Sequence, residues 1–139
     1  MVDEEKAMSK DLQKFYFQLQ VLEQQGQQLQ QQLQAIGQQV EELEHVKEGL
    51  EQLQNVKPGT EIFVPFAGGV FVKAELKDSQ QLLLNVGAGT AILKSVPETI
   101  TTIMSQIDDM AGLRQQMTEQ LERVYAKAQD ISQQMEKSA

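Results

Sequence analysis

Apolar residues recur at alternating intervals of four and three along two long stretches of this 139-residue chain, and that spacing leaves few folds open. The first stretch runs Met8, Leu12, Phe15, Leu19, Leu22, then Gly26, then Leu29, Leu33, Ile36, Val40 and Leu43. Groups at this interval form one narrow stripe on an α-helix, which a second helix buries more readily than a globular core does. In heptad terms Leu12, Leu19, Leu33 and Val40 take a positions, and Met8, Phe15, Leu22, Leu29, Ile36 and Leu43 take d positions. Most other places are glutamine, a good helix former that keeps the outer face polar without adding charge. The chain has 24 glutamines, 15 of them before residue 55, so this low-complexity segment reads as helix rather than disorder. After Leu43 the spacing changes, with Val46, Leu50 and Leu53 at three, four and three. A three-residue insertion overwinds a coiled coil locally, so the seam is expected to change partner there. Asn55-Val56-Lys57-Pro58-Gly59 ends the helix, because proline and glycine stop the hydrogen-bond ladder. The helix predicted from Met8 is about 45 residues, roughly 70 Å.

A second seam follows a start signal. Ser95-Val96-Pro97-Glu98 matches a capping box with proline in the first turn. Val96, Ile100, Ile103, Ile107, Met110, Arg114, Met117, Leu121, Val124, Ala128, Ile131 and Met135 then keep the 4-3 alternation without a slip. Two such helices, each with one apolar stripe, are expected to fold back as an antiparallel coiled-coil hairpin. Between them Thr60–Phe66, Val70–Leu76, Leu82–Val86 and Thr90–Leu93 are short apolar or β-branched runs. Ala67-Gly68-Gly69, Lys77-Asp78-Ser79 and Gly87-Ala88-Gly89 separate them, which predicts four strands in two β-hairpins. Pro65 marks an edge or a strand end. The fold class is therefore mainly α with a small β part, divided into an N-terminal helix (1–57), two β-hairpins (58–94) and a C-terminal helix (95–139). Two hairpins this apolar cannot cover both of their faces, and their open edges invite another chain.

Composition removes several function classes. Without cysteine there is no disulfide framework, thiolate metal site or cysteine nucleophile, and His45 is the only imidazole. A net charge of −8 repels phosphate backbones and anionic lipid, so neither nucleic acid nor membrane is an expected partner. No leader or spanning segment is visible, and a cytoplasmic setting is expected. Gly87-Ala88-Gly89 lacks the third glycine and following helix of a dinucleotide site and reads as a turn. Asp108-Asp109 and the Glu41, Glu42, Glu44 group lie off the seams as solvated charge, and His45 takes an exposed f position. Arg114, on a seam, reads as a register device whose stem packs while its head reaches out. Gly26 reads as a close approach or a soft spot. Neither an enzyme nor a cofactor is expected.

The seven aromatics fall in two zones: Phe63, Phe66 and Phe71 among the strands, and Phe15, Tyr16, Phe17 and Tyr125 near the chain ends. An antiparallel hairpin would gather the last four near its free tip. Tyr16 and Phe17 occupy e and f positions, where a coiled coil ordinarily carries polar groups. They either cap the tip against fraying or form a plastic contact surface, helped by the flexible thioethers of Met8 and Met135.

The order helix, two hairpins, helix resembles the α-type subunits of the prefoldin family over nearly the whole chain. The most specific stretch is Phe63-Val64-Pro65-Phe66-Ala67-Gly68-Gly69-Val70-Phe71-Val72-Lys73-Ala74-Glu75-Leu76, followed by Leu84-Asn85-Val86-Gly87-Ala88-Gly89. It is similar to the family's first hairpin and to its V-G-x-G second turn. Two hairpins point to the α type, since β-type subunits have one. An aromatic and an acidic residue often follow the second glycine in the family, whereas this chain has Thr90-Ala91-Ile92-Leu93-Lys94. The resemblance implies an ATP-independent chaperone, a hexamer of two α and four β-type subunits. Its coiled-coil tips would hold unfolded client proteins and deliver them to a group II chaperonin. By the same resemblance Ile62, Val64, Val72, Leu84, Val86 and Ile92 serve the subunit interface. Met8, Leu12, Phe15, Phe17, Tyr125, Ile131 and Met135 serve client binding. The rival reading is a structural coiled-coil scaffold whose tips bind one folded partner.

Overall fold

The computed structural model describes the backbone of residues 2–138 and the side chains of residues 10–137. Its elements are helix α1 (Val2–Gln54), strands β1 (Glu61–Ala67), β2 (Val70–Glu75), β3 (Gln81–Gly87) and β4 (Thr90–Ser95), and helix α2 (Val96–Ser138). Two long helices with two small antiparallel hairpins between them are thus the fold class that the residue pattern predicts. Helix α1 starts well before the first seam residue and has 53 residues instead of about 45. The chain divides into two compact units, Met1–Gln39 with Met110–Ala139, and Val40–Asp109.

In the first unit the helices run antiparallel. A side-chain carbon at Gly26 would lie 3.8 Å from Leu121 and Val124, and one at Gly37 would lie 3.5 Å from Nη2 of Arg114. The half-buried positions of α1 are the expected seam residues Leu12, Phe15, Leu19, Leu22, Leu29 and Leu33, joined by Gln18 and Gly37, with Gly26 and Ile36 buried. On α2 they are Met110, Met117, Leu121, Val124, Ala128, Ile131 and Met135. Arg114 holds its seam position with an exposed side chain, its guanidinium lying over the Gly37 backbone. Ile36 is the one buried large apolar residue among those described in this unit, as expected of a two-helix seam with a single shared stripe.

In the second unit the expected change of seam is corrected. Val46 is 47% exposed, while Lys47 is half-buried between Leu43 and Leu50. The 4-3 spacing therefore continues as Val40, Leu43, Lys47, Leu50, with no insertion. Helical phase outweighs the hydropathy of one residue: the lysine stem can cover the seam while its ammonium stays in water. At the start of α2, Val96 is fully buried and Ile103 nearly so. The Ser95 Oγ accepts the backbone N–H of Glu98 at 3.2 Å, the capping contact that the sequence signal implies. Val96 donates its own N–H to the Gln80 carbonyl at 2.8 Å, tying the helix start to the strand connection.

The hairpins repeat one design. Strands β1 and β2 pair Ile62 with Ala74, Phe63 with Lys73, Val64 with Val72 and Pro65 with Phe71. Strands β3 and β4 pair Leu82 with Lys94, Leu83 with Leu93, Leu84 with Ile92 and Asn85 with Ala91, each pair displaced by 20 residues from its counterpart. Both registers shift at the same place, past Pro65 and past Asn85, which leaves Phe66 and Val86 on the bulges. Both loops have two residues at positive φ, Gly68 (53°) and Gly69 (81°), then Ala88 (50°) and Gly89 (71°). That is the type I′ geometry whose twist matches the flanking strands. The Asn85 side chain accepts the Gly87 N–H at 3.0 Å across the second bulge. The two hairpins form separate two-stranded sheets, so each keeps open edges.

Candidate functional site

Directly paired residues of an antiparallel ladder share a face, and successive residues alternate. One face of the first hairpin therefore carries Ile62, Val64, Val72 and Ala74, and the matching face of the second carries Leu82, Leu84, Ile92 and Lys94. Of the interface residues expected there, Ile62 and Leu84 are half-buried, and Val64, Val72 and Ile92 are exposed; Val86, on the bulge, is exposed too. The reverse faces carry Phe63, Pro65, Phe71 and Lys73, and Leu83, Asn85, Ala91 and Leu93. They hold widely uncovered apolar surface, Phe63 being 64%, Leu83 69% and Leu93 71% exposed, and Phe66 on the first bulge is 77% exposed. Sequence reading passed over them, because strands apolar on both faces give period-two alternation nothing to choose between. Charge is sparse on these faces. Lys73 lies 3.6 Å from Glu61 and 5.9 Å from the centre of the Phe63 ring, a contact that holds the ring rather than covering it.

The second surface lies in the unit built from residues 1–39 and 110–139. Phe17 is 66% exposed, with Tyr16 and Val21 also exposed beside it on α1. Phe17, Val21 and Leu22 face Ile131, Asp130 and Lys127 of α2 around an open hollow of about 510 Å³. A second hollow of about 340 Å³ shares Leu22, Gln25 and Lys127 with the first and continues between Gln28, Leu29 and Gln32 on one wall and Gln120 and Arg123 on the other. Among the residues expected at the tip, the structure brings Phe17 and Ile131 together. It places Leu12, Phe15 and Met135 half-buried on the seam. The side chain of Met8 lies outside the described residues.

Tyr125 stands apart from the group expected around Phe15, Tyr16 and Phe17. Its ring edge lies 3.9 Å from where a side chain at Gly26 would begin, and its hydroxyl accepts a hydrogen bond from the Gln30 amide. Gly26 and Phe17 are nine residues apart on α1, roughly 14 Å of helix. Antiparallel pairing fixes this outcome, since Tyr125 meets α1 at Gly26 and Ile131 meets it near Phe17. The hollows also contain a feature that a search for apolar groups does not find: one wall is a row of glutamines, Gln18, Gln25, Gln28 and Gln32. Both surfaces are suited to apolar contact.

These surfaces occur on a fold with known relatives. A family model described as prefoldin subunit matches residues 22–139. A prefoldin subunit alpha of Methanococcus vannielii is 31% identical over 132 residues, covering 95% of this chain and 88% of the relative. Prefoldin subunit alpha 1 of Thermococcus kodakarensis is 33% identical over 101 residues, 73% of this chain and 69% of the relative. Prefoldin subunit alpha of Archaeoglobus fulgidus is 27% identical over 126 residues, covering 91% and 92%. In structure the chain is similar to a filamentous PFD from Methanocaldococcus jannaschii solved by cryo-electron microscopy, with a TM-score of 0.76 over 86% of this chain and 98% of that one at 16% identity. The last likeness speaks for the fold, and the family match with the alpha-subunit relatives speaks for descent. The chain belongs to the prefoldin family, among its alpha subunits.

Proposed function

We propose that this chain is a subunit of an ATP-independent molecular chaperone that holds non-native polypeptides and delivers them to a group II chaperonin. The observation that carries the reading is the exposure of Tyr16, Phe17 and Val21 on a helix whose other outward positions are mostly glutamine or charged. Exposed apolar groups cost solubility, and a cluster of them on an otherwise polar coil marks a contact surface. Met8, Leu12, Phe15, Phe17, Ile131 and Met135 form the client-binding end, led by Phe17 with Ile131, and Tyr125 extends the surface from its place beside Gly26. Covering one such aromatic contributes about 1–3 kcal/mol, weak enough to release, while several tips in one complex multiply through effective concentration. Holding of this kind asks for no catalytic group or cofactor.

Residues 58–94 act as the oligomerisation platform, and residues 1–57 and 95–139 as the coiled-coil helices. Both hairpin faces are apolar and both sheets have open edges, which supports completion by other subunits in a hexamer of two α and four β-type chains. Ile62, Val64, Val72, Leu84, Val86 and Ile92 supply one face of that interface, and Phe63, Phe71, Leu83 and Leu93 the other. A cytoplasmic setting fits a chain without cysteine, and no described helix is long and apolar enough to cross a membrane. A second reading, an assembly scaffold without holding activity, is favoured by the filamentous form of the solved relative.

Paired substitution separates the two readings. Phe17→Ser with Ile131→Ser, in the chain assembled with β-type partners, is expected to keep the mass of the complex and lose most of its suppression of aggregation of a denatured protein. Suppression at the level of the unaltered complex would overturn the assignment of Phe17 and Ile131 as the holding site, whereas an unaltered complex that suppresses nothing would overturn the holding role and leave the scaffold.

A further inference from the structure

The two adjoining hollows on the unit of residues 1–39 and 110–139 share Leu22, Gln25 and Lys127 and so form one groove, reaching from Phe17 to Gln32 along α1. Fifteen residues of helix span roughly 22 Å, the length of about seven residues of extended chain. Its character changes along that length. At one end Phe17, Val21 and Ile131 are apolar, with Asp130 at the rim; further in, Arg123 and Lys127 stand one helical turn apart on the α2 wall. Arg123 has a carboxylate neighbour in Glu119, at 4.0 Å and with both side chains exposed, a separation that a closer ligand carboxylate can displace. The α1 wall carries no charge. Gln18, Gln25, Gln28 and Gln32 present amides that both donate and accept, the chemistry needed by the free N–H and C=O groups of an extended backbone.

We infer that this groove binds an extended polypeptide segment in which an apolar side chain is followed by acidic ones. The apolar side chain enters between Phe17 and Ile131, the carboxylates meet Lys127 and Arg123, and the glutamine row serves the backbone whatever its sequence. In a chain of net charge −8, a cationic wall beside an apolar floor sets a preference that apolar contact alone would not. The inference rests on the holding role proposed above and deepens it by naming the chemistry of the segment held.

The test uses the full chain and two fluorescein-labelled ten-residue peptides that share a Leu-Phe pair, one followed by three aspartates and the other by three lysines. Fluorescence anisotropy at about 0.15 M salt, where a Debye length of about 8 Å screens the remote charge of the chain, is expected to show the acidic peptide binding about three- to tenfold more tightly, the effect of two exposed ion pairs. Arg123→Glu with Lys127→Glu, both at exposed positions, is expected to reverse the order while circular dichroism shows unchanged helix content. Methylating alternate backbone nitrogens of the acidic peptide is expected to weaken it. Equal binding of the two peptides, or an order that survives the double substitution, would overturn the charge preference, and indifference to methylation would overturn the extended backbone. If the peptides are not discriminated while the unaltered chain still suppresses aggregation, this inference fails and the holding role stands. An acidic preference that persists in a chain without suppression supports the groove's chemistry and overturns the holding role.

Discussion

Gly26 occupies a buried seam position where every neighbouring heptad carries a large apolar side chain. A carbon added there would sit 3.8 to 3.9 Å from Leu121, Val124 and Tyr125, ordinary contact distance. Gly26→Ala should therefore fit without displacement and stabilise the helix by about 1 kcal/mol through propensity. A rise in thermal midpoint by circular dichroism checks it, and a fall would show that the ring of Tyr125 needs the gap. Lys47 and Val46 give the converse case. Val46→Ser should change stability by no more than about 0.5 kcal/mol, as expected for an exposed position, whereas Leu43→Ala on the seam should cost distinctly more in a urea titration. Hydropathy pointed to Val46 because it is the more apolar of two adjacent residues. The helix chooses by angle, and unbroken 3.5-residue phase from Val40 and Leu43 puts Lys47 on the seam. Tyr125 follows the same rule: its distance from the chain end was legible, but its level on the partner helix depends on antiparallel register, which no single stripe encodes.

Among the elements, the helices were legible through period and caps, and the hairpins through their turn residues. Ser95 is the clearest cap. Ser95→Ala removes the acceptor for the Glu98 N–H and should cost about 1 kcal/mol in unfolding free energy, measurable in a urea titration. The pairs Gly68-Gly69 and Ala88-Gly89 gave the loops, because two consecutive positive φ angles need residues that tolerate them. What the strand patterns did not reveal was which face is already half-covered within the unit. Ile62 and Leu84 are, while Phe63, Leu83 and Leu93 stand open. A ladder apolar on both sides has no preferred inside until something packs on it. Leu83→Asp with Leu93→Asp should therefore disrupt assembly at least as strongly as Val72→Asp with Leu84→Asp, each read as a smaller species by light scattering. If the first pair left the mass unaltered while the second reduced it, the open face would have another purpose.

At the scale of the whole molecule, the distribution of apolar residues explains why one chain is insufficient. Only Ile36, Val96 and Ile103 are buried large apolar residues among those described; other apolar side chains lie half-covered along seams, open on the hairpins, or exposed on the helices as Tyr16, Phe17, Met104 and Leu113 are. A chain of this length with a compact core would cover far more of its apolar surface. Here the covering has to come from other chains on the hairpins and, by the holding role, from clients at the groove beside Phe17. Glutamine makes this tolerable, since it keeps the long helices polar between the apolar regions. The direct measurement is the mass, by multi-angle light scattering, of this 15.6 kDa chain mixed with a β-type prefoldin subunit at one to two. One species with two copies of this chain and four of the partner is expected, lost on charging the hairpin faces; a chain that stayed a 15.6 kDa monomer in the mixture would contradict it.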